Sequence, residues 1–152
     1  MIVIGYQGIG KSSCRGMGYI DLESSNFFVN GKRDDNWHNV YANIAEHLSC
    51  QGYIVFLSSH KCVREELNKR HIDFLTIFPA LDLKEAWIER LKERYDLTKT
   101  DKNFKAYVNA TVSYEDNIKD LMNEKHCFEI ENMTYNLSQI ITEFAYGKRE
   151  EN

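Results

Sequence analysis

Five short apolar runs recur along the chain: MIVIGY (1–6), GYIDLE (18–23), YIVFLSS (53–59), DFLTIFPA (73–80) and CFEIEN (127–132). Continuous apolar runs of this kind suit strands buried on both faces, as in a parallel sheet. Between them the period changes. In NWHNVYANIAEHLSCQG (36–52), Val40, Ile44 and Leu48 fall four apart. That spacing predicts a helix with those three on one face and Gly52 as its stop. KCVREELNKR (61–70) sets Val63 four before Leu67, and LKEAWIERLKERY (83–95) aligns Leu83, Trp87, Leu91 and Tyr95 behind Asp82 as N-cap. SYEDNIKDLMNEKH (113–126) and LSQIITEFAY (137–146) read as two further helices, followed by a charged KREEN tail expected to fray. Strands alternating with helices predict a three-layer α/β sandwich with a five-stranded parallel sheet, formed as one domain over residues 1–152. In such a sheet ligands sit beyond the carboxyl ends of the strands. GYQGIGKSS, LESS, SSHK and FPALD all fall at those ends.

Composition narrows the classes. An apolar content of 43%, a charged content of 28% and a single proline argue against a disordered chain. The net charge of −4 argues against broad nonspecific nucleic-acid binding, while leaving room for a local basic groove. Cys14, Cys50, Cys62 and Cys127 form no C-x-x-C pair and no zinc spacing, so four reduced thiols in a cytoplasmic protein are expected. MIVIGYQG is too short for a signal core or a membrane span, so no membrane partner is expected.

The chemistry begins at Gly5. GYQGIGKS fits G-x-x-x-x-G-K-[ST], preceded by a strand and followed by a short helical stretch, SSCRGM, that Gly16 and Gly18 curtail. In this pattern successive backbone amides from Gln7, Gly8, Ile9 and Gly10 through Lys11, Ser12 and Ser13 ring a phosphate. Lys11 reaches the β- and γ-phosphates and the Ser12 hydroxyl ligates Mg2+. The alternative is a glycine-rich strand–helix turn with a solvated lysine.

Asp21 and Glu23 alternate on one strand face, about ten residues beyond Lys11. Beside the loop, Asp21 suits a magnesium ligand, and Glu23 suits orienting or deprotonating an acceptor hydroxyl. A solvated strand edge is the competing reading. After the third strand, Ser59, Lys61 and Arg64 form a candidate substrate-binding group around His60, unless Ser59 merely caps a helix and the cations are surface charge. Arg90 and Arg94 share a helix face before the polar, loop-like stretch from Asp96 to Lys105. A lid at about 94–106 closing over a triphosphate is one reading, and a solvated helix paired to Glu89 and Glu93 is the other. Phe27, Phe28 and Trp37 line either an acceptor pocket or the core.

In their order these parts resemble the nucleoside-monophosphate-kinase branch of phosphate-loop NTPases. GYQGIGKSS, IDLESS, SSHKCVREEL and FPALDLKEAWIERLKER carry the resemblance, which spans nearly the whole chain, although only the first motif is specific. IDLESS resembles the Asp-x-Asp of shikimate-type kinases with Glu in second place, and SSHKCVREEL is similar to a segment of gluconate-type kinases. The whole also resembles small phage-encoded proteins of this type, which implies the host cytoplasm. The resemblance implies ATP with magnesium and mobile lid arginines. It therefore points to transfer of a phosphoryl group to a small acceptor, foremost a (deoxy)nucleoside monophosphate, by a monomer or homodimer. Lys11, Asp21, Glu23, Arg90 and Arg94 are then the expected catalytic set. The chain departs from the family in having Ser58-Ser59-His60 where an aspartate ends the third strand, and in lacking an Asp-Gly-x-Pro-Arg segment. Two other classes stay open: a nucleic-acid 5′-end kinase or DNA-processing NTPase, and a catalytically inactive nucleotide-binding regulator.

Overall fold

A computed structural model describes residues 1–14, 16 and 18–150, with side chains set aside at 148–150. Five strands form one sheet: β1 (Ile2–Gly5), β2 (Tyr19–Asp21), β5 (Ile54–Ser58), β6 (Phe74–Pro79) and β7 (Cys127–Ile130). Their order is β2-β5-β1-β6-β7, and every pairing is parallel. β3 (Phe28–Val29) and β4 (Lys32–Arg33) form a separate hairpin. Its turn is Asn30-Gly31, both at positive φ, the signature of a tight two-residue hairpin turn.

β1 lies in the middle because both of its faces are apolar. Ile2 and Ile4 meet Tyr41, Ala42 and Ala45 of α1 (Trp37–Cys50) and Val63 and Leu67 of α2 (Lys61–Lys69). Val3 points the other way, toward Trp87 and Leu91 of α3 (Lys84–Thr98), Tyr114 and Ile118 of α4 (Asp101–Leu121), and Ile141 of α5 (Leu137–Glu150). Two helices cover one face of the sheet and three the other, which is the expected three-layer α/β sandwich. Each fully buried aliphatic or aromatic side chain contributes roughly 1.5–3 kcal/mol against solvent exposure.

Three local expectations need correction. In α1 the buried stripe is Tyr41, Ala42 and Ala45, while Val40 is 46% and Ile44 37% exposed. The alanines let the helix approach the sheet closely, and Tyr41 carries the bulk and a hydroxyl. Asp82 does not cap α3; it lies in a 3-10 turn, Leu81–Leu83, and Leu83 is the N-cap. The stretch read as loop-like at 96–105 is helical apart from Lys99 and Thr100. Lys99 takes a left-handed conformation, and the Thr100 hydroxyl accepts from the Asn103 amide to start α4. The expected helix start at Ser113 survives as a kink inside α4.

After β1 the backbone makes one 3-10 turn, Lys11–Ser13; Arg15 and Met17 of the expected helix SSCRGM lie outside the described residues, as do Glu151 and Asn152 of the tail. The four cysteines are free thiols. Among the described residues no helix is long and apolar enough to cross a membrane.

In β6, Thr76 is fully buried and its hydroxyl finds no hydrogen-bond partner among the described residues. Thr76→Val keeps the shape and removes the stranded hydroxyl. It is expected to raise unfolding free energy by about 1 kcal/mol in denaturant titrations; a loss of stability would show that the hydroxyl is bonded.

Candidate functional site

The loops leaving β1 and β6 run to opposite sides, one toward β2 and one toward β7, which opens a crevice beyond the carboxyl edge of the sheet. The Gly5–Ser13 loop lies there. A Cβ on Gly5 would stand 2.2 Å from Ile9 Cδ1, because the Ile9 side chain (1% exposed) turns back onto the sheet beneath the loop. Gly8 and Gly10 both have positive φ. Gly8 is not demanded by the G-x-x-x-x-G-K-[ST] pattern, yet a Cβ there would come within 2.9 Å of Leu91 and 3.2 Å of Trp87 Nε1. The loop is pressed against α3.

Three consecutive carbonyls of the loop are held from outside. Trp87 Nε1 donates to Gln7 O at 2.8 Å, Arg90 Nη1 to Gly8 O at 3.4 Å, and Tyr135 Oη to Ile9 O at 2.7 Å. Arg90 Nη1 also donates to Tyr135 Oη at 2.8 Å, and its guanidinium lies 4.5 Å above the Trp87 ring. The Gln7 side chain reaches α4, donating to Ala106 O and Asn109 Oδ1. Arg90, expected in a lid, is therefore bound behind the loop. Among the described residues neither Arg90 nor Arg94 pairs with Glu89 or Glu93.

At the mouth of the loop the structure brings Lys11, Asp21 and Glu23 near one another; Asp21 ends β2, and Glu23 is the N-cap of the 3-10 turn Ser24–Phe27. Burial pushes the half-buried Lys11 ammonium below the ordinary lysine range; Asp21 and Glu23 act against this, while Lys102 and Arg94 reinforce it. Burial pushes the Asp21 carboxyl up, and the neighbouring Glu23 adds to the rise. Lys102, at the start of α4, donates to Glu23 Oε2 at 2.5 Å. Arg94 is exposed on α3 but close enough for Lys11 to feel its charge. Ser12 and Ser13 lie exposed along the 3-10 turn, and the Ser13 hydroxyl donates to Gly10 O at 2.6 Å.

The substrate-binding group expected after β5 is divided. Arg64 is 5% exposed and its guanidinium is directed to Asp120 (2.5 Å) and Glu124 (2.8 Å), with Nε donating to Ser59 O. It ties α2 to the end of α4. Lys61 opens α2 and is exposed.

A different constellation lies beside the acidic pair. Ser24 (8% exposed) holds its Oγ 3.1 Å from Ser58 Oγ, 3.2 Å from His60 Nε2 and 3.3 Å from Arg33 Nη2. Arg33 and Ser58 donate to Ser24 Oγ, so its single proton is left for His60 Nε2, which must accept. His60 is then the neutral Nδ1–H tautomer. Burial, followed by the charges of Arg33, Lys11 and Arg64, pulls its pKa down to about 4. Tyr41 anchors the group from below, donating to Leu22 O and accepting from the Ser58 amide. The Arg33 guanidinium is sandwiched 4.1 Å from the Phe28 ring and 4.4 Å from the Trp37 ring, and no ion pair of Arg33 occurs among the described residues. Phe27 packs with Trp37 against the core. Sequence reasoning passed over Ser24, Arg33, Trp87 and Tyr135 as site residues and held Lys102 only as one cation of the lid-like stretch. The Asn30-Gly31 turn was the signal for Arg33, because such a hairpin brings Lys32-Arg33 back against Phe28.

The depressed His60 pKa carries a sign. Between about pH 6.5 and 4 the unfolded chain binds a proton at this residue and the folded chain does not, so its contribution is present above 6.5 and lost as pH falls toward 4. Denaturant melts are expected to show wild-type stability falling more steeply from pH 7 to 5 than that of His60→Gln; parallel slopes would place the charged imidazole in the fold. No protein-family model matches the chain and no curated protein matches it, so the grounds for its function are the geometry and chemistry of this crevice.

Proposed function

We propose that the protein is an ATP-dependent phosphotransferase that moves the γ-phosphoryl group of ATP to a small anionic acceptor, foremost a (deoxy)nucleoside monophosphate. One observation carries this reading: Lys11, the Asp21–Glu23 pair and Lys102 converge at the mouth of a glycine loop whose carbonyls are turned outward. A loop of that form offers amide donors to phosphate oxygens, and the Lys11 ammonium adds a positive charge beside them. Behind the loop a cavity of about 320 Å³, bounded by Gly8, Arg90, Met133 and Tyr135, is large enough for a nucleobase.

Ser12 Oγ and the Asp21 carboxylate are hard oxygen donors, a set that suits magnesium sharing its shell with phosphate oxygens and water. When bound, magnesium neutralises charge on the bridging phosphate oxygens. With Asp21 given to the metal, Glu23 beside it suits orienting or deprotonating the acceptor hydroxyl. Lys102 and Arg94 are poised to offset charge on the transferring group. Arg33, stacked and without a carboxylate partner, suits an anionic group of the acceptor, with Ser24, Ser58 and His60 beside it. The local excess of cations offsets the chain's overall charge of −4 where a triphosphate would bind.

Lys11→Ala is expected to abolish ATP binding in calorimetry without unfolding the chain, and Asp21→Asn to lower turnover by about 10²–10⁴-fold with ATP affinity nearly intact. Unchanged affinity in the first variant sinks the nucleotide site. Arg33→Gln should raise KM for the acceptor about tenfold or more and leave ATP affinity alone. A panel of nucleoside monophosphates, sugars and 5′-hydroxyl oligonucleotides decides the acceptor: turnover confined to oligonucleotides identifies an end kinase, and none on any acceptor a regulator.

A further inference from the structure

The two shortest bonds that other elements donate to the loop go to the carbonyls just before the amides that a phosphate would need. In a planar trans peptide, the carbonyl of one residue and the N–H of the next point to opposite sides. The chain has no cis peptide among its described residues. Trp87 holds the Gln7 carbonyl, which aims the Gly8 amide into the crevice. Tyr135 holds the Ile9 carbonyl, which does the same for Gly10. Among the described residues neither of these amides makes a hydrogen bond within the loop. The peptide between them is different. Among the described residues its carbonyl, Gly8 O, receives only the long bond from Arg90, and its amide, on Ile9, is already used in the turn to Tyr6 O.

Each clamped peptide plane ends at a glycine with positive φ. Glycine resists a plane flip least, because both signs of φ are open to it. A loop built on Gly8 and Gly10 therefore needs its carbonyls held, or the amides spend part of their time turned away. The holders are rigid. Trp87 is fully buried, Tyr135 stacks on it with ring centroids 6.2 Å apart, and Arg90 lies against both rings.

We infer that Trp87 and Tyr135 are positioning residues for phosphate binding, Trp87 aiming the Gly8 amide and Tyr135 the Gly10 amide through the carbonyls they hold. The inference rests on the phosphate-loop reading and adds to it two residues, from α3 and from the β7–α5 connection, that lie outside the motif.

The test uses the full chain and inorganic tripolyphosphate, which carries no base, alongside ATP. Tyr135→Phe removes one hydroxyl and keeps the ring. It is expected to weaken tripolyphosphate and ATP equally, by about tenfold, with a melting temperature close to wild type. In 1H–15N spectra the shift of Gly10 on adding tripolyphosphate should shrink in Tyr135→Phe while that of Gly8 persists; Trp87→Phe should reverse the pattern. Should Trp87→Phe fail to fold, Tyr135→Phe carries the test alone. A loss of ATP affinity with tripolyphosphate untouched would make Tyr135 a contact to the base and overturn the inference. Unchanged affinity for both ligands, or equal loss at both glycine amides, overturns it as well. If wild-type protein binds neither ligand, the phosphate-loop reading itself fails, and that result is separate from any variant.

Discussion

The crevice depends on the pressing of a glycine loop between the sheet and α3. Ile9 is folded back under the loop because Gly5 leaves it room, and Gly8 admits Leu91 and Trp87 from above. With both sides filled, the backbone has little freedom, and donors from α3 and the segment before α5 take its outward carbonyls. The usual support for such a loop is a long following helix whose dipole and free amides face the anion. Among the described residues one 3-10 turn, Lys11–Ser13, follows the loop, and side chains from distant parts of the chain hold its carbonyls.

Charge is arranged around that loop in opposition to the protein's average. The whole chain is acidic, yet Lys102 and Arg94 gather near Lys11, with Asp21 and Glu23 as the local counterweight, and Arg33 and Lys11 both act on His60. His60 stays neutral because burial, and then the charges of Arg33, Lys11 and Arg64, disfavour the imidazolium. A protonated His60 would leave Ser24 Oγ facing three donors. The same logic explains Arg64: a buried guanidinium needs its carboxylates, and Asp120 and Glu124 supply them.

α3 and α4 unite the two sets of interactions. α3 brings Trp87 and Arg90 behind the loop, while the first turn of α4 brings Lys102 to Glu23 in front of it. The turn at Lys99 and Thr100 sets the relation of these two helices, since a left-handed residue followed by a threonine cap reverses the chain within two positions. The segment with the lid-like composition is helical apart from Lys99 and Thr100, and Lys102 reaches the crevice from the surface of α4.

The amino-acid order alone determined the alternation of strands and helices, the parallel sheet, and the junction of strand and glycine loop, since each rests on local periodicity or on a short motif whose spacing is a backbone requirement. It also singled out Asp21 and Glu23 as a pair, although the strand that was to align them ends at Asp21 and Glu23 already caps the following 3-10 turn. Periodicity misjudged the buried face of α1: it favours the larger apolar residues Val40 and Ile44, whereas packing against the sheet selected alanines and a tyrosine whose hydroxyl serves the Ser58 amide. Only tertiary structure decided that Arg64 turns to carboxylates 56 and 60 residues away, that Arg33 joins Ser24 and His60, and that Trp87 and Tyr135 meet carbonyls 80 and 126 residues distant. Such partners share no spacing in the sequence, because the contact between them is made by the folding of the sheet and its helix layers.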